Sequence, residues 1–320
     1  MIHRHHLVAK QLNPVLHQSL MIAVSVINKI KMCGKNDRLF QQLCSEDGEQ
    51  FQRLLMHTEV RWLSKGNCLA RLVELYDTVT ILLHQRNLNQ LKADLRSSKN
   101  AIFYLAAFFQ LMNNSNLQLQ GQNVTLIDCR NVISTLIDKL KLVRQNILRR
   151  DFHNLPQLVE IVEAVTDQDV ETYSAHLTAV ADDLNIRFHD IFTMTIPEWT
   201  FNPFQFDVSA AEQDLQDNLL ELRNDYEAEV AHRHGGYKAM WLRPSIPLLY
   251  PRLWSKVEFL LLAFPTSYLV ECGFSRLSML LTKSRNRLDV KDRGDIRMAL
   301  TEMTPNVKKL AEQHQAQGSH

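Results

Sequence analysis

The segment that most constrains the fold is "NAIFYLAAFFQLMNNSN" (residues 100–116), which is apolar on nearly every side of the helix that it predicts. A helix of this kind must be covered all round, so it belongs in the centre of a helical domain. The chain can supply the cover, because 45% of its 320 residues are hydrophobic. With only 9 glycines and 9 prolines, the composition favours long helices over a many-turned sheet. The sequence therefore predicts an all-α fold.

Apolar residues recur at the helical period in several other segments, and two stretches interrupt the pattern. Pro197 and Pro203 forbid a continuous helix across 195–207, whose aromatic rings predict an extended connector held by packing. Glycines and prolines in 232–251 predict a domain boundary there. The remaining helices are predicted at 15–33, 37–56 (as a pair), 67–85, 123–149, 168–185, 209–230 and 253–282.

Charge is distributed unevenly along a nearly neutral chain. The formal net charge of +1 by itself predicts no general attraction to nucleic acid or to a membrane. Residues 207–229, however, carry eight acids against one base, and residues 276–309 carry nine bases against four acids. These two zones are candidates for charge pairing, within one molecule or between molecules.

The cysteines and the lengths of the apolar segments indicate in which cellular compartment the protein lies. The five cysteines are scattered and form no Cys-x-x-Cys pair, which argues against a disulfide framework and a cysteine-rich zinc site. No run approaches the roughly 18 apolar residues of a membrane span, and the N-terminus lacks the apolar core of a signal peptide. We therefore expect a soluble intracellular protein with reduced thiols and no membrane partner.

Two segments carry a resemblance to a known family. "HTEVRWLSKGNCLARLVEL" (57–75) and "YPRLWSKVEFLLLAFPTSYLVECGFSRLSMLLTKSRNRLDVKDRGDIRMAL" (250–300) resemble the later half of a hAT-superfamily DNA transposase. The likeness is to vertebrate transposase-derived proteins that carry BED-type zinc-finger or SCAN domains upstream. The resemblance implies that Arg61-Trp62 is the family's Arg-Trp pair in a helical insertion domain. It also implies that Glu271 is the last of three acidic metal ligands, at the start of a Glu-x-x-Phe-Ser box on an RNase H-like core.

The resemblance implies a domain plan as well. Residues 1–45 would be remnant helices of the RNase H-like core, 46–245 an all-helical insertion domain, and 246–320 a C-terminal dimerisation region. The expected fold is thus an all-α insertion domain plus a C-terminal helical remnant of the transposase core. The family's strands with the first two catalytic aspartates, and any zinc finger, have no counterpart in these 320 residues.

We expect no catalysis by this chain, because Glu271 is the only acidic metal ligand that the resemblance identifies in it. Transposases of this type use two divalent ions, and such hard cations need several oxygen ligands held together. A single glutamate cannot provide them, so we expect Glu271 to be an inherited relic in a chain that is not an enzyme. The sequence also predicts no metal site, no cofactor and no small-molecule substrate, since P-loop, nucleophile-elbow and dinucleotide-binding sequences are absent from it.

The segment "LWSKVEFLLLAF" (253–264) has more apolar surface than one side of a helix needs. Either this helix is central to a large fold, or its surplus face is a subunit interface. The family resemblance implies dimerisation through this region, with itself or with related transposase-derived proteins, in the nucleus or alternatively in the cytosol. The dimerisation candidates are Leu253, Trp254, Val257, Phe259, Leu260, Leu261, Phe264 and Phe274.

The competing hypothesis is sequence-independent DNA binding. Trp62 could stack on an exposed base while Arg61 and Lys65 contact phosphate. Lys283, Arg285 and Arg287 are the least compensated bases of the C-terminal zone and could also meet phosphate. In the structural alternative, Trp62 anchors a core, Arg61 forms an ion pair, and the three C-terminal bases pair with the acidic 207–229 zone.

Overall fold

The computed structural model describes residues 2–49, 53–55, 63–121, 123–263, 273–275 and 277. The helices within these ranges are α1 Ile2–Ala9, α2 Pro14–Lys31, α3 Gly34–Glu46, α4 Leu63–Glu74, α5 Tyr76–Gln85, α6 Asn89–Ser97, α7 Lys99–Gln118, α8 Leu126–Leu148, α9 Pro156–Val159, α10 Asp167–Arg187, α11 His189–Phe192, α12 Gln213–Arg223, α13 Tyr226–Trp241, α14 Ile246–Leu249 and α15 Pro251–Leu262. Single turns of 3₁₀ helix occur at Val162–Ala164, Glu198–Thr200 and Val208–Ala210. No β-strand is found in the described part of the chain, which confirms the all-α prediction. The predicted RNase H-like ancestry stays a prediction.

The chain forms two compact units, residues 1–265 and 266–320. Within the first unit the helices pack around a large core that draws on residues 8–191. The apolar helix α7 is its centre, with Ile102, Tyr104, Phe108 and Met112 all fully buried. Helices α2, α4 and α9 pack against it, and α10 lies along α8. The prediction that 100–116 lies inside a helical domain is therefore confirmed.

Local signals fix where several of these helices begin. Asn13 caps α2 by accepting a hydrogen bond from the amide of Leu16, and Pro14 occupies the first helical turn. Thr125 and Thr166 start α8 and α10, and each forms a capping box with the aspartate three residues later. These caps satisfy amide groups that have no partner inside their own helix.

A second, smaller core draws on residues 199–261 and gathers α12, α13, α14 and α15. Trp199 and Trp241 pack at its centre with their rings 5.7 Å apart, and the indole nitrogen of Trp241 donates to the Thr200 carbonyl at 2.8 Å. The connector predicted at 195–207 is not extended throughout, since a 3₁₀ turn forms at Glu198–Thr200, but its rings do pack, with Trp199 in this core. The salt bridge between Lys238 and Asp128, 2.5 Å long, ties α13 to the start of α8.

Several predicted helices differ from the observed ones. The predicted helix 67–85 is two helices interrupted at Leu75, whose ψ of 23° departs from helical geometry. The predicted helix 209–230 also breaks, because the Asp225 side chain caps a new helix by accepting from the Ala228 amide. In the predicted pair at 37–56, α3 is present but 53–55 is not helical. The predicted helix 253–282 is wrong at Ala263, because the helix ends at Leu262 and Ala263 is extended, with a ψ of 137°.

The predicted domain limits at residues 45 and 245 stay predictions about the origin of the chain. In the packing, residues on both sides of each limit share a core: Ile30 and Phe40 lie with Tyr104 in the first, and Trp241 lies with Ile246 in the second. The glycine-rich part of 232–251 is a kink in α13, where Gly236 has a φ of 68°, a conformation that favours glycine.

Candidate interaction surface

Helix α15 presents two different sides. Leu253, Val257, Leu260 and Leu261 repeat at intervals of three and four residues and are at most 7% exposed. Leu253, Val257 and Leu261 pack into the second core, where α15 meets α12 and α13. Trp254 is half-buried against the same core. Four of the eight dimerisation candidates are therefore covered by their own chain.

The opposite side of α15 is exposed and carries two large apolar residues beside the polar residues Arg252 and Ser255. Phe259 is 65% exposed and Leu262 is 49% exposed, and their spacing of three residues places them on one face. Phe274, in the second unit, is also 65% exposed. Phe264 lies outside the described residues. A role of these residues in dimerisation stays a prediction.

Charged pairs fasten the polar edge of α15. Lys256 Nζ lies 2.8 Å from a carboxylate oxygen of Glu212, and this hydrogen bond raises the pKa of Lys256 above its usual value. Arg252 donates to the Asp214 carbonyl at 3.4 Å. These contacts join the exposed edge of α15 to the start of α12.

Part of the acidic zone 207–229 is already paired inside the chain. Glu212 binds Lys256, Glu227 binds Arg243 at 2.5 Å, and Glu229 binds Arg233 at 2.8 Å. The exposed acids Asp217 and Glu221 make no salt bridge within the described residues. This zone therefore has less negative charge to offer the basic 276–309 zone than the sequence suggests.

Most candidate DNA-binding and catalytic residues fall outside the part of the chain that the structure describes. Arg61, Trp62, Glu271, Lys283, Arg285 and Arg287 are among them. Lys65 lies in the first turn of α4. Where residues are described, no three of His, Cys, Asp or Glu come together as metal ligands would, and no helix has the length and apolar character to cross a membrane.

A buried polar cluster at the centre of the first core escaped the sequence interpretation. The Tyr104 hydroxyl hydrogen-bonds His176 Nδ1 at 2.7 Å, and His176 Nε2 is 3.0 Å from the Gln11 carbonyl. Because the carbonyl can only accept, Nε2 carries the proton and Nδ1 accepts from the tyrosine. Burial lowers the pKa of His176 to about 4, so the ring is neutral. The sequence did contain a signal for this cluster. His176 lies on the apolar side of the predicted helix 168–185, beside Tyr173, Leu177 and Val180, which indicates a buried histidine.

In the described residues the geometry is all-helical, with two packed cores and two large apolar side chains exposed on α15. Residues 1–148 match the family model of the FAM200/GTF2IRD2 helical domain, and the match ends with the last residue of α8. A curated relative, general transcription factor II-I repeat domain-containing protein 2 from Bos taurus, is 22% identical over 293 residues. That alignment covers 90% of this chain but only 30% of the relative's length. No solved structure matches the chain. Both similarities are consistent with the transposase-derived class that the sequence resembles.

Proposed function

We propose that this chain is a catalytically inactive, domesticated hAT transposase-derived protein that acts in the nucleus by associating with a second copy of itself. The observation that carries the proposal is the exposure of two large apolar side chains on α15, where Phe259 is 65% and Leu262 49% exposed. A soluble protein gains by covering such a face, and aromatic residues are enriched at protein interfaces.

The association surface must extend beyond the two side chains on α15. Stable interfaces bury roughly 1,200–2,000 Å² in total, far more than Phe259 and Leu262 can supply. The family resemblance implies that Phe264 and Phe274 are dimerisation residues in their own right. Leu253, Val257 and Leu261 have a supporting role, because their burial in the second core holds α15 in place, and Leu260 is buried as well.

The proposals of inactivity and of nuclear action rest on sequence similarity. Glu271 is the one acidic ligand of the transposase site that the resemblance finds in these 320 residues, and two-ion catalysis needs more. The curated bovine relative is named as a general transcription factor repeat-domain protein, which supports a nuclear role.

Sedimentation of the full chain tests association. We expect a dimer at micromolar concentration and a monomer for Phe259→Glu, because the glutamate would bury a charge in the interface. Ile186→Glu is the matched control, since Ile186 is 74% exposed on α10 and lies outside the proposed surface. A monomeric wild-type chain, or equal dissociation by both variants, would contradict the proposal.

The same experiment with hairpin DNA separates association from the competing function. DNA binding through Arg61, Trp62, Lys65 and the 283–287 bases predicts a complex that weakens steeply between low and high salt, because phosphate contacts release counterions. A monomer that shifts hairpin DNA in this way would establish the DNA-binding function in place of association. A Mg²⁺-dependent nuclease signal that Glu271→Ala abolishes would overturn the proposed inactivity.

A further inference from the structure

Two further large apolar side chains are exposed just before α15. Leu248 is 82% exposed and Leu249 is 58% exposed, at the end of α14. Their neighbours Ile246 and Tyr250 are buried in the second core. The Tyr250 hydroxyl also donates to Asp225 Oδ2 at 3.2 Å. The two exposed leucines therefore belong to a turn that buried residues anchor on both sides.

The exposed positions keep one spacing through α14 and α15. The Tyr250 amide donates to the Ile246 carbonyl at 2.8 Å, and the Trp254 amide donates to the Tyr250 carbonyl at 2.9 Å. These bonds of the helical type span the boundary between the two helices, although Tyr250 itself bends the chain with a ψ of 56°. Exposed residues recur at intervals of three and four, as along one side of a helix. This exposed stripe consists of Leu249, Arg252, Ser255, Phe259 and Leu262.

The exposed stripe is polar in its middle and apolar at both ends. Arg252 and Ser255 separate the exposed leucines of α14 from Phe259 and Leu262. Ser255 is small, and its hydroxyl donates to the Arg252 carbonyl at 2.7 Å within the same helix. Because this hydroxyl is already paired, another surface can cover it without leaving an unsatisfied group. The middle of the stripe can therefore be approached closely.

Charge distinguishes the two directions in which two copies of the stripe can pair. In a parallel pair each Arg252 would lie opposite the other Arg252, and such like charges are unfavourable. In an antiparallel pair centred on Ser255, the two arginines are separated by six residues of rise, about 9 Å. Each then lies level with Glu258 of the other copy, an exposed acid that makes no salt bridge within the described residues. Charge therefore favours the antiparallel direction.

The antiparallel direction also brings the apolar ends of the stripe together. With Ser255 at the centre, Leu262 of one copy lies level with Leu248 of the other, and Phe259 lies just beyond it towards the centre. The exposed side chains on α15 of one copy would thus meet the turn before α15 of the other. This contact doubles the number of large apolar side chains in the interface, which the roughly 1,200–2,000 Å² of a stable interface requires.

We propose that two copies of the chain pair through antiparallel α15 helices, with Ser255 on the two-fold axis. Leu248 and Leu249 of each copy then cover Phe259 and Leu262 of the other. The interface is isologous, because the same patch serves both copies. The proposal rests on the proposed association and adds its direction and its register.

Disulfide cross-linking of the full chain tests the direction. A disulfide needs Cα atoms within about 7 Å, so only positions that face each other are linked. In a background with Cys33→Ser and Cys272→Ser, Ser255→Cys should link to itself under oxidised glutathione. Leu262→Cys should not link to itself, because its two copies would be about 21 Å apart along the axis, but it should link to Leu248→Cys in a mixture. Self-linking of Leu262→Cys would indicate a parallel pair and overturn the proposal.

The matched control for cross-linking is Thr178→Cys, at an exposed position on α10 that lies outside the stripe. We expect no link from it under the same oxidation. Equal linking by Thr178→Cys and Ser255→Cys would show random collision and overturn the proposal.

A charge at Leu248 tests the apolar contact. Leu248→Glu should raise the dissociation constant of the dimer about tenfold or more in sedimentation, because the carboxylate would lose its water in the interface. Thermal unfolding of the monomer should not change, since Leu248 is 82% exposed. Leu117→Glu, 58% exposed at the end of α7, is the matched control and should leave the dimer intact. Equal weakening by both variants would overturn the proposal.

The results separate this proposal from the proposed association. A wild-type dimer that Leu248→Glu does not weaken and that Ser255→Cys does not link would keep the association and overturn the antiparallel pairing. A monomeric wild-type chain would overturn both.

Discussion

Helices α7 and α15 are both rich in apolar residues, but their surroundings differ. Helix α7 has buried residues on every side, from Ile102 to Met112, because helices pack against it all round. Helix α15 is buried along one stripe only, and Phe259 on the other side is exposed. An excess of apolar residues in a helix can therefore have two outcomes. In α7 other helices of the chain cover the apolar surface, whereas in α15 part of it stays exposed to solvent.

The largest effect should come from truncating a ring on α7. Phe108 is fully buried and packs against Tyr104 and His176, so Phe108→Ala should lower the free energy of unfolding by about 3–5 kcal/mol. Denaturant titration measures this change. A loss below about 1 kcal/mol would show that α7 is not the centre of the core.

Lowering the pH should weaken the same region. The pKa of His176 in the folded chain is about 4, below its usual 6.5, so the fold favours the neutral ring. This preference for the neutral ring contributes about 3 kcal/mol to the free energy of unfolding. The contribution is complete above pH 6.5 and is lost as the pH falls towards 4.

Unfolding titrations at several pH values test this prediction. His176→Gln should lack that part of the pH dependence, whereas His153→Gln, at an exposed position, should keep it. Parallel stability curves for wild type and His176→Gln would contradict a buried neutral histidine.

The close approach of α4 to α7 predicts a smaller effect. A Cβ on Gly66 would lie 2.3 Å from Asn113 Nδ2 and 3.2 Å from Phe109 Cβ, and both neighbours are buried. Gly66→Ala should therefore cost about 1–3 kcal/mol through overpacking. Gly34→Ala is the control, because its new Cβ would meet nothing within 4 Å. Equal effects of the two substitutions would rule out the close contact.

The smallest effect on the stability of the monomer should come from the open side of α15. Phe259→Ala should change the free energy of unfolding by less than about 0.5 kcal/mol at concentrations too low for association. Leu253→Ala, on the buried side of the same helix, should cost about 2–5 kcal/mol. If Phe259→Ala were as costly as Leu253→Ala under these conditions, Phe259 would be covered within its own chain.

Helices with clear periodicity could be predicted from the sequence to within a few residues, as α2, α7, α8 and α10 show. Breaks were harder to predict. Helix α5 starts anew after Leu75, at a position where the apolar period continues without a glycine or proline, so the pattern held no signal. The cap at Asp225 was a local signal, but the unbroken amphipathic pattern around it favoured one long helix.

The candidate surface was predicted in part. The excess of apolar residues in 253–264 indicated either a central helix or an interface, and periodicity could not choose between them. A polar pocket lined by Asp94, Ser98 and Asp169 could not be predicted, because it joins residues about 70 positions apart in the sequence.

The sequence by itself determined that the chain is helical, that α7 must be surrounded, and which side of each helix is apolar. These properties follow from the 3.6-residue period and from composition, which are local. Only the tertiary structure decided which apolar faces are covered, that His176 is held neutral beside Tyr104, and that two acids share a pocket without a base. Those outcomes depend on which helices meet, and packing between distant segments settles that choice.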